Sequence, residues 1–410
     1  MKTIKFIFLA IIISVFFGSC EKNENPSPHI PDINLNLKEQ SLVNSSNKFG
    51  FDLLNEINKT EEQNKNIFVS PLSVSFALAM TYNGADNETK TAMEQALRLN
   101  GLTTDEINSS FKNIMNSLIG LDPKVTLNIA NSIWYRENFH VEQNFIDVNR
   151  DYYDAEVNAL DFGAPQAKDI INNWVATNTN NKIKKIIDEL STETVMILIN
   201  AIYFKGNWKY KFEKDATDIK PFYLADGTTK KVLMMQQEGD FNYLSTDLFT
   251  AIELPYGDEK FSMLIMLPKQ DKTTNDIINE LNDNNWNTWL NSFEKTDDIN
   301  VIIPKFKFKY DKILNDVLKN MGMEIAFMGG ADFSKINPSE SLSISKVIHK
   351  TYVDVNEDGT EAAAVTAVLL DNCVGPANIF NANKPFIFAI KEKSTNSILF
   401  IGKLANPDYE

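Results

Sequence analysis

Few side chains in this 410-residue chain are of types that perform catalysis. There are three histidines, His29, His140 and His349, and two cysteines, Cys20 and Cys373. No Gly-x-Ser-x-Gly elbow, His-Glu-x-x-His pair or phosphate-binding loop accompanies them, so hydrolytic, zinc-dependent and nucleotide chemistry lack their usual frames. The segment Asp354-Val355-Asn356-Glu357-Asp358-Gly359 does match the opening of a calcium loop. Its twelfth position, which must supply two carboxylate oxygens, is Val365, and the match fails. The expectation is a protein that is not an enzyme, with no cofactor and no metal.

The elements that must position these residues read as one large mixed domain. Hydrophobic residues make up 43% of the chain and charged residues 23%, proportions that suit a substantial core. A net charge of −15 disfavours nucleic acid and anionic membrane as electrostatic partners. Phe49, Leu53, Leu54 and Ile57 form an apolar face at helical spacing, with Ser45 or Ser46 as a cap. Residues 73–82 and 87–97 continue helical. Residues 195–204 form an unbroken apolar run, expected to be a strand buried on both faces. Residues 261–267 stop at Pro268, and residues 386–390 and 398–401 flank a polar turn as a hairpin. Helices early and strands late point to the α+β class.

The N-terminus is read as a targeting segment. Lys2 and Lys5 precede twelve residues, 6–17, interrupted only by Ser14, too short to span a bilayer. Phe17-Gly18-Ser19-Cys20 then resembles a bacterial lipobox, with residues 1–19 removed and Cys20 acylated; the alternative is a plain signal peptide. Residues 20–38, broken by Pro26, Pro28 and Pro31, read as a tether, and residues 39–410 as the domain. The expected location is the bacterial cell envelope, lipid-anchored at the outer membrane on its periplasmic or surface face. Cys373, alone after Cys20, makes no internal disulfide.

Residues 357–367, EDGTEAAAVTA, are similar to the hinge of inhibitory serpins. Asn66-Ile67-Phe68-Val69-Ser70-Pro71-Leu72-Ser73 resembles that family's shutter segment, and Asn200-Ala201-Ile202-Tyr203-Phe204-Lys205-Gly206-Asn207-Trp208 its central strand and breach. Glu253-Leu254-Pro255-Tyr256, Pro304-Lys305-Phe306, Asn383-Lys384-Pro385-Phe386 and Phe400-Ile401-Gly402-Lys403 follow in family order, so the likeness spans residues 39–407. One departure is Asn181, where the family usually has Gly, in a segment expected to stand apart from the mechanism. The resemblance implies a monomer with three β-sheets, eight or nine helices and a reactive loop over about 357–380. It also implies a suicide inhibitor of serine proteases, and by extension cysteine proteases. The alternative is a non-inhibitory binding protein of the same fold.

The same resemblance assigns roles. Glu357, Gly359, Thr360, Glu361, Ala362, Ala363 and Ala364 form the hinge; Ser70, Ser73, Asn200 and His349 the shutter; Trp208 the breach. Spacing from Glu357 and Gly359 puts the reactive bond at Cys373-Val374, whereas counting back from Pro385 gives Val374 as the cleavage residue. An exposed Cys373 has a second meaning, as an oxidisable thiol that tunes inhibition. Residues 361–383 contain no Lys or Arg, so the bait suits elastase-like, subtilisin-like or cysteine proteases rather than trypsin-like ones.

The hinge residues bear this out independently. Entry into a sheet requires alternating faces. Thr360, Ala362, Ala364, Thr366, Val368 and Leu370 share one face and carry no charge; Glu361 and Asp371 fall on the other, expected to face solvent. No proline interrupts. An inserted strand would add roughly a dozen main-chain hydrogen bonds at about 1 kcal/mol each, on the order of 10 kcal/mol and comparable with the stability of an ordinary domain.

Overall fold

Asn36 starts the first helix. In the computed structural model, described over residues 30–361 and 378–409, its side chain accepts from the backbone of Lys38 and Glu39 while Glu39 bonds back to the Asn36 N–H, a capping box. Helix α1 (Leu37–Thr60) therefore begins well before Ser45 and Ser46, which lie inside it and cap nothing. Part of the expected tether is also folded: the Ile33 N–H donates to Ser394 Oγ and Lys260 pairs with Asp32.

Strand β1 (Ile67–Val69) leads into α2 (Pro71–Tyr82), which Ser70 caps with Pro71 in its first turn, a natural helix start. There follow α3 (Asn87–Ala96), α4 (Thr104–Leu118), β2 (Val125–Arg136), α5 (Gln143–Tyr153), β3 (Glu156–Leu160), α6 (Ala167–Asn178) and β4 (Met196–Asn207). The middle of the chain is mostly sheet: β5 (Asp218–Tyr223), β6 (Thr229–Ser245), β7 (Phe249–Pro255) and β8 (Phe261–Pro268). After α7 (Thr274–Glu280) and α8 (Asp283–Asn291) come β9 (Glu294–Pro304), β10 (Phe306–Ile313) and α9 (Asn315–Leu318). The last strands are β11 (Ile348–Asn356), β12 (Gly359–Thr360), β13 (Asn378–Asn381), β14 (Phe386–Glu392) and β15 (Ile398–Leu404). The α+β class holds, with nine α-helices among the described residues.

The strands form a six-stranded sheet, ordered β10-β11-β12-β4-β2-β3, and a nine-stranded network. The third sheet expected is not separate, because the long β6 joins two groups. Its first half pairs with β5 and β9, its second with β7 and β9, across an irregularity between Gly239 and Phe241.

Strand β4 is the run expected to be buried on both faces. Ile202 and Phe204 belong to the main core. On the opposite face Ile199 packs with Trp134, Ile171, Val175, Ile183, Ile186 and Ile187 beneath α6 and the segment after it. The end of β4 at Met196, Ile197 and Leu198 is only half-buried, for a reason that lies in its neighbour on the other side.

Candidate functional site

Strands β11 and β12 form a hairpin whose turn is Glu357-Asp358, with Val355 opposite Thr360 and Asn356 opposite Gly359. Strand β12 also pairs with β4, Gly359 opposite Asn207 and Thr360 opposite Gly206. Only glycine fits here. Gly359 has φ +148°, and a Cβ would stand 2.1 Å from the Gly206 carbonyl oxygen, well inside contact distance. Thr360 is 3% exposed, with its Oγ1 2.7 Å from the Tyr256 hydroxyl. Tyr256 stacks on Trp208 at 4.4 Å and 10°. Trp208 in turn donates from Nε1 to Asn356 O at 2.9 Å and from its N–H to Asp358 O at 3.0 Å. The breach tryptophan thus grips the turn that feeds the loop.

Two carboxylates of the failed calcium motif, Glu357 and Asp358, are occupied by lysines. Lys305 pairs with Glu357 at 2.9 Å, and Lys211 and Lys214 each reach Asp358 at 3.1 Å. Burial works against the charge on Glu357 and Asp358, but hydrogen bonds from these lysines win and hold both below the usual carboxylate range. The C-terminal tail closes over the same place. The Lys307 N–H donates to Asp408 O at 2.7 Å, and the Lys305 ammonium lies 4.4 Å from the Tyr409 ring centre. Tyr256 and Lys305 fall inside motifs quoted above. Lys211, Lys214, Tyr409 and Thr217, whose hydroxyl donates to Glu357 Oε1 at 2.8 Å, carry no sequence signal, because only the fold brings them to the turn.

Below Thr360 the sheet opens. Among the described residues no ladder joins β4 to β11; β12 alone bridges them, at their upper ends. Further down lies a cavity of about 580 Å³, lined among others by Leu78, Ile187, Met196, Leu198, Asn200 and His349. This is why the lower end of β4 is half-buried. At Glu361 the chain leaves the sheet: its N–H donates to Asp354 O at 2.8 Å, and its φ is +59°, the left-handed region that non-glycine residues seldom occupy. Ala362, Ala363, Ala364, Cys373, Val374 and Cys20 lie outside the described residues.

At this exit from the ladder the Glu361 side chain is 4% exposed, 3.5 Å from Lys182; the expectation that it faces solvent concerns the strand it would form on insertion. The segment carrying Asn181, expected to stand apart, reaches Glu361 through Lys182. Asn180 and Asn181 adopt φ of +49° and +61°, conformations asparagine tolerates, and their neighbour Lys182 touches the hinge.

The shutter residues come together only in part. His349, 5% exposed, accepts at Nε2 from the Ser70 N–H at 3.1 Å, and Ser70 Oγ accepts from the Ser73 N–H at 3.2 Å. A ring nitrogen that accepts carries no proton, and burial lowers the His349 pKa to about 4, so the imidazole is neutral. Asn200 lines the other side of the cavity. It donates to Asn131 at 2.7 Å, and its Oδ1 has no partner among the described residues. Asn131, which donates in turn to Tyr153 O at 2.6 Å, was not legible from spacing.

Fold and site define a class: an α+β protein whose six-stranded sheet stands open between two parallel strands, with the start of a further strand already paired at the top. The chain belongs to the serpin family. The family model, described as Serpin (serine protease inhibitor), matches residues 44–407. An uncharacterized serpin-like protein of Methanosarcina mazei is 34% identical, covering 100% of this chain and 99% of that one. The leukocyte elastase inhibitor of Xenopus laevis is 35% identical over 90% of this chain and 100% of its own. Among solved structures, the thermophilic serpin Tengpin in the native state superposes with a TM-score of 0.82 at 33% identity, covering 92% of this chain and 96% of that one. Thyroxine-binding globulin in complex with thyroxine superposes with a TM-score of 0.81 at 29% identity, covering 90% and 100%.

Proposed function

We propose that this serpin is a suicide inhibitor of serine proteases, extending to cysteine proteases, that traps its target by inserting the cleaved loop into the open sheet. One observation carries the reading: Gly359 and Thr360 are already paired with both β4 and β11 at the head of an open slot. The protease nucleophile bonds to the carbonyl carbon of Cys373. The Cys373–Val374 peptide bond breaks, and the Val374 amine leaves with the proton the nucleophile gave up. The freed segment then enters the slot with the acyl-enzyme attached, before water can cleave the ester. The protease supplies the catalytic groups and the inhibitor supplies the spring.

Small and apolar bait without Lys or Arg supports elastase-like, subtilisin-like and cysteine proteases as targets, and the likeness to an elastase inhibitor agrees with that choice. The lipobox-like Phe17-Gly18-Ser19-Cys20 supports an acylated Cys20 that tethers the inhibitor to the bacterial envelope; mass spectrometry of the N-terminal peptide should find lipid on Cys20. The function is tested by incubation with elastase and subtilisin. A covalent complex that survives boiling in detergent is expected, and cleavage with no such complex leaves a substrate or a binding protein.

A further inference from the structure

Resting on the inhibitory reading above, we propose that Lys182 is a positioning residue that catches the hinge at its exit from the sheet and so sets the rate of loop insertion. Lys182 stands where three parts of the molecule meet. Its ammonium is 3.5 Å from the Glu361 carboxylate and 5.0 Å from the centre of the Tyr352 ring on β11. Glu361 also shares a hydrogen bond with the hydroxyl of Tyr203 on β4, which accepts a second from Asn180 Nδ2 at 3.1 Å. One knot therefore ties β4, β11, the hinge and the segment after α6.

That segment covers the slot. Ile183, Ile186 and Ile187 pack against Ile199 of β4, and Ile348 of β11 joins the same cluster. Asn172 of α6 fastens it, accepting from the Ile186 and Ile187 N–H groups at 2.8 and 2.9 Å and donating to Ile187 O at 3.0 Å. Loop residues entering after Glu361 must pass beneath it.

Backbone geometry makes the pair specific to the waiting state. The Glu361 N–H is held by Asp354 O, in register with the ladder above. To continue as a strand antiparallel to both neighbours, Glu361 must rotate from φ +59° to about −140°. With the nitrogen fixed, that rotation carries Cβ and the carboxylate off Lys182. The ion pair therefore has to break as the loop enters, so it raises the barrier and contributes nothing to holding the inserted form.

The test uses the full chain, uncleaved. The measured quantity is the half-time, at one elevated temperature, for conversion to a form that no longer unfolds at the native transition. Lys182→Met and Glu361→Gln should convert roughly tenfold faster, the loss of one partly buried pair. Lys182→Arg, which keeps the cation, should stay within about twofold of wild type, as should Lys184→Met beside it. Unfolding rates in denaturant should be alike in all five proteins, which a merely structural role for Lys182 would not give. Wild-type conversion rates in Lys182→Met, failure of Lys182→Arg to retain the slow rate, or no conversion in any variant would overturn the proposal. If the wild type forms no covalent protease complex while conversion still depends on Lys182, the inhibitory reading fails and the catch stands. If it traps protease while Lys182→Met converts at the wild-type rate, only the catch fails.

Discussion

At the residue scale, the proposed inhibition rests on Gly359 and Thr360. A methyl group at Gly359 would meet the Gly206 carbonyl at 2.1 Å, and an arginine at Thr360 would force a charge into a buried site against Tyr256. Both Gly359→Ala and Thr360→Arg should delay entry of the loop, so that deacylation overtakes it. The ratio of cleaved inhibitor to trapped protease should rise several-fold for Gly359→Ala, and nearly all of Thr360→Arg should be cleaved; an unchanged ratio would remove the hinge assignment. His349 gives a pH dependence. Its folded pKa near 4 lies below the unfolded 6.5, so stability is fully present above about pH 6.5 and is lost as pH falls toward 4. The loss amounts to about 3 kcal/mol. Melting followed from pH 7 to 4 should show this slope, and His349→Gln should flatten it. Trp208, Gly359 and Thr360 were legible because they stand in segments that resemble serpin motifs. Lys211, Lys214 and Asn131 were not, since any surface lysine or strand asparagine looks the same until the chain folds.

At the element scale, the proposed mechanism requires the loop to behave as a strand. A proline at position 364 would remove one ladder donor in mid-strand. Ala364→Pro should therefore leave the intact protein folded but make it a substrate, visible on a gel as cleaved inhibitor without complex. Periodicity disclosed β4, β8 and the β14–β15 hairpin, whose apolar runs coincide with the observed strands. It misplaced the start of α1, because the Asn36–Glu39 capping box lies in a stretch dominated by prolines and polar residues. It also gave no hint that the segment after α6 lies over the sheet, since Ile183, Ile186 and Ile187 have the i, i+3, i+4 spacing of a helix while the segment forms neither helix nor strand.

At the scale of the whole molecule, the proposed inhibition requires a sheet held open against its own completion, so that the active form would be a kinetic trap rather than the most stable arrangement. Nicking the loop of the free protein should raise its melting temperature by tens of degrees, as the order of 10 kcal/mol in new strand pairing implies; a melt that stays put would mean no spring. The most direct measurement is a structure of the nicked protein. Continuing the observed register, Thr360 opposite Gly206 and Val355, places Ala362 opposite Phe204 and Val353, and Thr366 between Asn200 and His349, where the Asn200 Oδ1 now lacks a partner. Strand β12 lengthened in that register to fill the gap between β4 and β11 is the predicted result, and β4 and β11 still parted below Thr360 would contradict the account.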